Sequence, residues 1–378
     1  SSFVFDDAED MRASFAEEKE KNLYSRFSNP NTSEFVQKIC QMEGAEDGFA
    51  FATGMAAVYS TFAALLNAGD HIVSARTIYG GTYAFLKNFT PKLAITTSFV
   101  DITSLEAVEA AITSATKMIY CEAISNPLLE IANITELSKI AKKHGVLLVV
   151  DNTFSPLIIS PQKLGADVTI HSLTKFINGS SDTVGGVVCG TQEFINDLRN
   201  VNNGASMLLG STMDSLRAAS VLKNLRTLHI RMKQHSKNAL YLAQKFESDG
   251  LKTVYPGLNS HPSHELFKSM MHPDYGFGGM LTIDVGSLEK ANELMELMQN
   301  ENLGYLAVSL GFYKTLFSAP GTSTSSEIPE DEQVEMGLSD GLIRFSIGLD
   351  NNIERTYQTI KKCMKEVGVL TSESLVSN

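Results

Sequence analysis

Val146-Leu147-Leu148-Val149-Val150 is an unbroken apolar run that stops at Asp151, and few folds accommodate it. Such a run suits a parallel strand covered on both faces, because a half-exposed strand would alternate. Asp151 then falls at the strand's carboxyl end, where open α/β sheets bind their ligands. A second short strand, Asp167-Val168-Thr169-Ile170, runs into His171-Ser172-Leu173-Thr174-Lys175. Each residue alone has an ordinary reading: Asp151 as a turn residue, Lys175 as a solvated surface charge. Together, one acid, one amine and two hydroxyls on one sheet edge form a donor set for pyridoxal phosphate. The amine attaches the cofactor, the carboxylate keeps the pyridine nitrogen protonated, and Ser172 and Thr174 bind phosphate. A nucleotidase reading of Asp151 fails, since no GxxxxGK[ST] loop occurs in the chain.

Asp151-Asn152-Thr153-Phe154 followed by Ser172-Leu173-Thr174-Lys175-Phe176 resembles the cofactor motif of the trans-sulfuration (Cys/Met metabolism) family of pyridoxal-phosphate enzymes. The similarity runs over nearly the whole chain, about residues 3–349. It implies an α/β fold of type I, aspartate aminotransferase-like. A large, mostly parallel, seven-stranded sheet domain would be followed by a smaller α+β C-terminal domain. The expected division is an N-terminal arm over 1–28, a cofactor-binding domain over 29–226 and a small domain over 227–378.

Length and charge agree with this plan. The chain has 378 residues, enough for two domains. Its net charge of −12, from 43 acidic and 31 basic residues with no basic cluster, argues against nucleic acid. Cys40, Cys121, Cys189 and Cys363 are scattered and form no CxxC pair, which fits a reducing compartment; a cytoplasmic location is expected. The most apolar long stretch, 50–66, is short for a membrane span and is broken by Thr53, Gly54 and Ser60. No signal peptide is visible. The chain begins at Ser1 within a motif, so this counts little, and further native sequence is expected upstream.

Along the chain, strand and helix patterns alternate, as a parallel sheet sandwiched by helices requires. Strands are expected at 71–74, 95–100 and 118–122. Thr103-x-x-Glu106 reads as a capping box opening a helix to about Ser114, and a helix from Asn133 ends at His144-Gly145. Gly-x-Gly-x-x-Gly is absent. Thr53 is a candidate N-cap, which would leave the amides of Gly54 and Met55 for phosphate; close backbone packing at Gly54 is the competing reading. Residues 211–246 read as one long helix joining the domains. The charged run 17–21 reads as a solvated helix end, and the polar tail after Leu370 as disordered. His261, His264 and His272 have loop-like spacing and no completing acid or Cys, so no metal site is expected.

Other roles follow only from the resemblance. Tyr24 and Arg26 would reach the phosphate of a neighbouring subunit, which implies a homo-oligomer: a dimer with shared sites, assembled further into a tetramer. Tyr79 would lie on the cofactor ring and pass protons to the leaving group, with Thr153 on the ring's other face. Arg344, assisted by Ser309, would clamp the substrate α-carboxylate. Asn126 and Glu122 fall in the same active-site pattern.

Within the family, methionine lyases carry Cys where this chain has Gly81, and cystathionine γ-lyases tend to carry Glu where it has Val308. The expectation is therefore γ-replacement on O-acetyl- or O-succinylhomoserine by sulfide or cysteine. Methionine γ-elimination is the alternative. Ser318-Ala319-Pro320-Gly321-Thr322 departs from the family pattern at the substrate entrance and leaves ester and thiol open. A cofactor-binding regulator of this fold, or an unrelated α/β ligand-binding protein, are the readings from other classes.

Overall fold

A computed structural model of the chain describes residues 1–16, 18, 19, 21–323 and 328–370. Glu17 and Glu20 of the charged run, and the tail beyond Leu370, lie outside the described residues. The larger sheet is built from β1 (Asp47–Phe51), β2 (His71–Ala75), β3 (Thr96–Val100), β4 (Thr116–Glu122), β5 (Leu147–Asp151), β6 (Val168–Ser172) and β7 (Gly186–Gly190). Its order is β1-β7-β6-β5-β4-β2-β3; β7 runs antiparallel to both neighbours and the other pairings are parallel. In β5, Leu148, Val149 and Val150 are fully buried, as the unbroken apolar run requires. Parallel alignment brings the ends of β4, β5 and β6, at Glu122, Asp151 and Ser172, to one edge of the sheet.

Helices close the faces, with ends set by local chemistry. In helix Ile134–His144, Asn133 accepts the Glu136 amide at 3.3 Å and Gly145 turns left-handed at φ 65°. Two expectations need correction. The cap of helix Leu105–Ala110 is Ser104, which accepts the Ala107 amide; Thr103 bonds Asp101 Oδ1 instead, at 2.6 Å through its hydroxyl. Residues 211–246 are not one helix but Ser215–Leu225 and Leu228–Ser248. At the break, Asn224 O accepts from the Thr227 amide (3.1 Å), Thr227 Oγ1 (3.0 Å) and Arg231 Nη2 (3.2 Å). Side chains take the carbonyl that would have continued the ladder.

A smaller sheet comprises β8 (Lys252–Val254), β9 (Met280–Asp284), β10 (Tyr305–Leu306), β11 (Leu316–Ser318) and β12 (Leu342–Ser346), ordered β10-β11-β12-β9-β8. Its own core holds Phe246, Leu281, Ile283, Phe317, Phe345 and Met364. Helix Leu228–Ser248 gives Leu228 and Met232 to the large core but Leu242 and Phe246 to the small one. The division at 226/227 therefore stands as a proposal about folding units. Among the described residues, no helix is long and apolar enough to cross a membrane.

Candidate active site

A cavity of about 240 Å³ opens at the carboxyl edge of the large sheet, closed by residues of the small domain. Eleven residues named from the sequence line it: Gly54, Met55, Tyr79, Glu122, Asn126, Asp151, Thr153, Ser172, Thr174, Lys175 and Arg344. Val58, Ile124, Val184 and Leu310 join them, apolar residues that carry no chemical signal in the sequence.

One end is shaped for an anion. Helix Gly54–Leu65 begins at Thr53, whose Oγ1 accepts the Ala56 amide at 2.9 Å and whose carbonyl accepts the Ala57 amide. The amides of Gly54 and Met55 are left at the positive end of the helix. The backbone at Gly54 packs so closely that a Cβ there would stand 2.9 Å from Ser172 Cβ and 3.0 Å from its hydroxyl. The close-packing reading of Gly54 therefore holds, and its amide is left at the helix start facing the cavity. Thr174 Oγ1 also lines the cavity, and accepts the Gly185 amide at 3.1 Å.

The middle holds the acid and the amine. Burial raises the pKa of Asp151, opposed by hydrogen bonds from Thr153 and by the charge of His171. The Thr153 amide donates to Asp151 Oδ1 at 2.9 Å, and Thr153 Oγ1 accepts the Ser172 amide at 2.8 Å. Thr153 thereby ties the ends of β5 and β6 together. Lys175 Nζ donates to Ser309 Oγ at 3.0 Å. Burial, and then the Arg344 charge, lower its pKa to about 8. A neutral amine is the reactive form, so the rate at which cofactor-free protein takes up pyridoxal phosphate should climb to about pH 8 and then level. A rate still climbing steeply to about pH 10, as an unperturbed lysine dictates, would contradict this.

The far end is a buried polar cluster. Glu122 accepts the Tyr79 amide through Oε1 at 2.8 Å and the Asn126 amide through Oε2 at 2.9 Å. Arg344, 2 % exposed, donates from Nη1 to Asn126 Oδ1 at 2.7 Å and from Nη2 to Ser309 O at 3.4 Å. Ser309, named from the sequence as assisting Arg344, meets the guanidinium through its carbonyl and Lys175 through its hydroxyl. Burial pushes Glu122 well up, with the Asp151 charge adding to it, and pushes Arg344 down to about 10. The Tyr79 ring covers Gly81, where a Cβ would come within 2.6 Å of ring Cε1.

Tyr24 and Arg26 do not line the cavity of their own chain. Tyr24 is 43 % exposed, and Arg26 Nη1 donates to Met207 O at 2.9 Å. Of the atypical segment, Ser318 lies opposite Arg344 in register, and none of Ser318 to Thr322 lines the cavity. His261 Nε2 and His264 Nδ1 lie within hydrogen-bond distance of the Leu129 and Pro256 carbonyls, at 3.1 and 2.8 Å.

An amine with a depressed pKa, a carboxylate at a strand end and an anion cradle at a helix start fit pyridoxal phosphate. With the seven-stranded sheet, they define a fold-type-I pyridoxal-phosphate enzyme. The model of the Cys/Met metabolism PLP-dependent enzyme family matches residues 1–364, and the chain belongs to that family. It is 43 % identical over 343 residues to a methionine gamma-lyase of Arabidopsis thaliana, covering 90 % of this chain and 78 % of that one. To a cystathionine gamma-lyase of Bacillus subtilis it is 40 % identical, covering 87 % and 85 %. A Campylobacter jejuni protein described as an O-acetylhomoserine (thiol)-lyase, solved with a pyridoxyl-lysine monophosphate, superposes with TM-score 0.89. Identity there is 29 %, covering 97 % of this chain and 93 % of that one.

Proposed function

We propose that this protein carries out γ-elimination on an L-amino acid with a small uncharged thioether, methionine first among them. The products would be 2-oxobutanoate, ammonia and methanethiol, with one water consumed. The observation that carries this reading is the charge inventory of the cavity. Among the described residues, and apart from the Tyr79 phenol, the ionisable groups lining it are Glu122, Asp151, Lys175 and Arg344. Each has a task within the site. A succinyl ester brings a second carboxylate and cystathionine a second amino-acid head. Either would be buried without a matching charge, at a cost of about several kcal/mol. Val58, Ile124, Val184, Val308 and Leu310 suit a methylthio or acetyl group instead. The 43 % identity to a methionine gamma-lyase supports elimination over replacement.

Bound pyridoxal phosphate supplies an electron-withdrawing ring that stabilises negative charge at Cα. In our reading, Lys175 is the attachment amine; once displaced, it takes the Cα proton and then moves protons at Cβ. Asp151 holds a proton at the ring nitrogen. Gly54, Met55, Ser172 and Thr174 bind the phosphate, joined by Tyr24 and Arg26 of a second copy. Arg344 and Asn126 hold the α-carboxylate, and Tyr79 gives a proton to the departing sulfur.

A second reading, sulfide-dependent replacement on O-acetylhomoserine, is supported by Gly81. A side chain there would displace the Tyr79 ring from its present position. Product assays with methionine, O-acetylhomoserine, O-succinylhomoserine and cystathionine, each with and without sulfide, separate the readings. Methionine should give the highest kcat/KM, by about tenfold or more, a margin needing only about 1.4 kcal/mol between transition states. A higher value for O-acetylhomoserine with sulfide would install the second reading. Turnover of the succinyl ester or cystathionine above both would refute the charge argument.

A further inference from the structure

Behind the cavity, on residues that do not line it, lies a second ionisable pair. Glu43, the last residue of helix Pro30–Glu43, is 1 % exposed, and its Oε1 stands 2.7 Å from His171 Nε2. The same oxygen accepts from Asn152 Nδ2 at 3.0 Å. His171 is fully buried on β6, next to Ser172, and Asn152 directly follows Asp151. The pair therefore grips the two strand ends that present the acid and the phosphate-binding hydroxyl. His171 Nδ1 is buried and has no hydrogen-bond partner among the described residues. A buried polar atom left unpaired calls for a role beyond packing. Burial disfavours a charged Asp151; the Thr153 hydrogen bonds act first against that, and His171 adds to them.

We propose that Glu43 and His171 are positioning residues. Glu43 fixes the His171 imidazole behind the strand end that carries Asp151, and the pair sets where the proton between Asp151 and the cofactor's ring nitrogen sits. This role requires pyridoxal phosphate to be bound as described above, whichever substrate is cleaved. Without the pair behind it, Asp151 would share that proton differently: the hydrogen would sit on the carboxyl and leave the ring nitrogen neutral.

The test uses the holoenzyme loaded with ring-¹⁵N-labelled pyridoxal phosphate and reads the nitrogen's chemical shift, a direct report of its protonation. Glu43→Gln keeps the shape and removes the charge; His171→Gln removes the ring. Both should move the signal toward that of a neutral pyridine. Each should also lower kcat about tenfold or more while KM stays within about twofold, as supporting groups around a cofactor do. Ser160→Ala is the control. Ser160 Oγ donates to the Glu43 carbonyl at 2.6 Å and lies 3.5 Å from Glu43 Oε2, so the variant loosens the helix end while the Oε1 contact to the imidazole stays. It should leave the signal in place. If Glu43→Gln does not fold, His171→Gln carries the same decision. An unmoved signal in the variants that fold, or an equal movement in Ser160→Ala, would overturn the proposal. Failure of the wild-type protein to bind the cofactor would instead remove the functional reading beneath it.

Discussion

Replacing Lys175 with alanine should lower kcat by about 10⁴-fold or more, since in the proposed function attachment and proton transfer both depend on this one amine. The fold should survive the change. With a pKa of about 8 in the cofactor-free protein, the charged lysine is disfavoured by burial, and unfolding relieves that cost. The sign follows from linkage: between about pH 8 and the unperturbed lysine value near 10.4, the unfolded chain binds more protons. Stability therefore rises with pH across that window, and the penalty is fully present at neutral pH. Losing the penalty offsets the lost packing of the alkyl chain. Melting temperatures of cofactor-free wild type and Lys175→Ala, measured at neutral pH, should agree within a few degrees. A variant with kcat within tenfold of wild type would end the assignment of Lys175. One that melts far lower would show that the amine has a structural task instead.

Lys175 and Asp151 were legible in the sequence because their positions follow from local rules. An apolar run sets a buried parallel strand, and the residue after it must lie at the sheet edge. Gly54 and Met55 followed likewise from a cap residue in front of a helix. What the sequence could not display depends on partners far apart along the chain. Ser309 meets Lys175 across 134 residues and Glu43 meets His171 across 128, and neither spacing has a signature. Glu122 reads as an acid ending a strand. Only the folded loops reveal that its two oxygens hold the Tyr79 and Asn126 amides. The misread cap at Thr103 has a local cause of the same kind. Asp101 offered that hydroxyl a nearer acceptor, so the capping role passed to Ser104.

Arg344→Leu should produce the other large effect, and it reaches beyond substrate binding. The guanidinium is buried between Asn126 Oδ1 and the Ser309 carbonyl, and its charge acts on both Glu122 and Lys175. Removing one member of a buried charged contact costs about 2–5 kcal/mol, which corresponds to a loss of about 30- to 5000-fold in kcat/KM. Much of this should come as a raised KM, because in the proposed function the α-carboxylate loses its partner before any bond changes. Arg344→Lys keeps the charge but not the planar fork, and should recover only part of the loss. The same variants separate a carboxylate clamp from a merely structural arginine. Arg344 helps to hold the Lys175 pKa down, so without the guanidinium the pH profile of pyridoxal-phosphate uptake should move above about 8. Arg344→Lys should move it less. An unchanged uptake profile in Arg344→Leu would mean that burial alone depresses the amine. If KM were also unchanged, the carboxylate would have to be bound by another group.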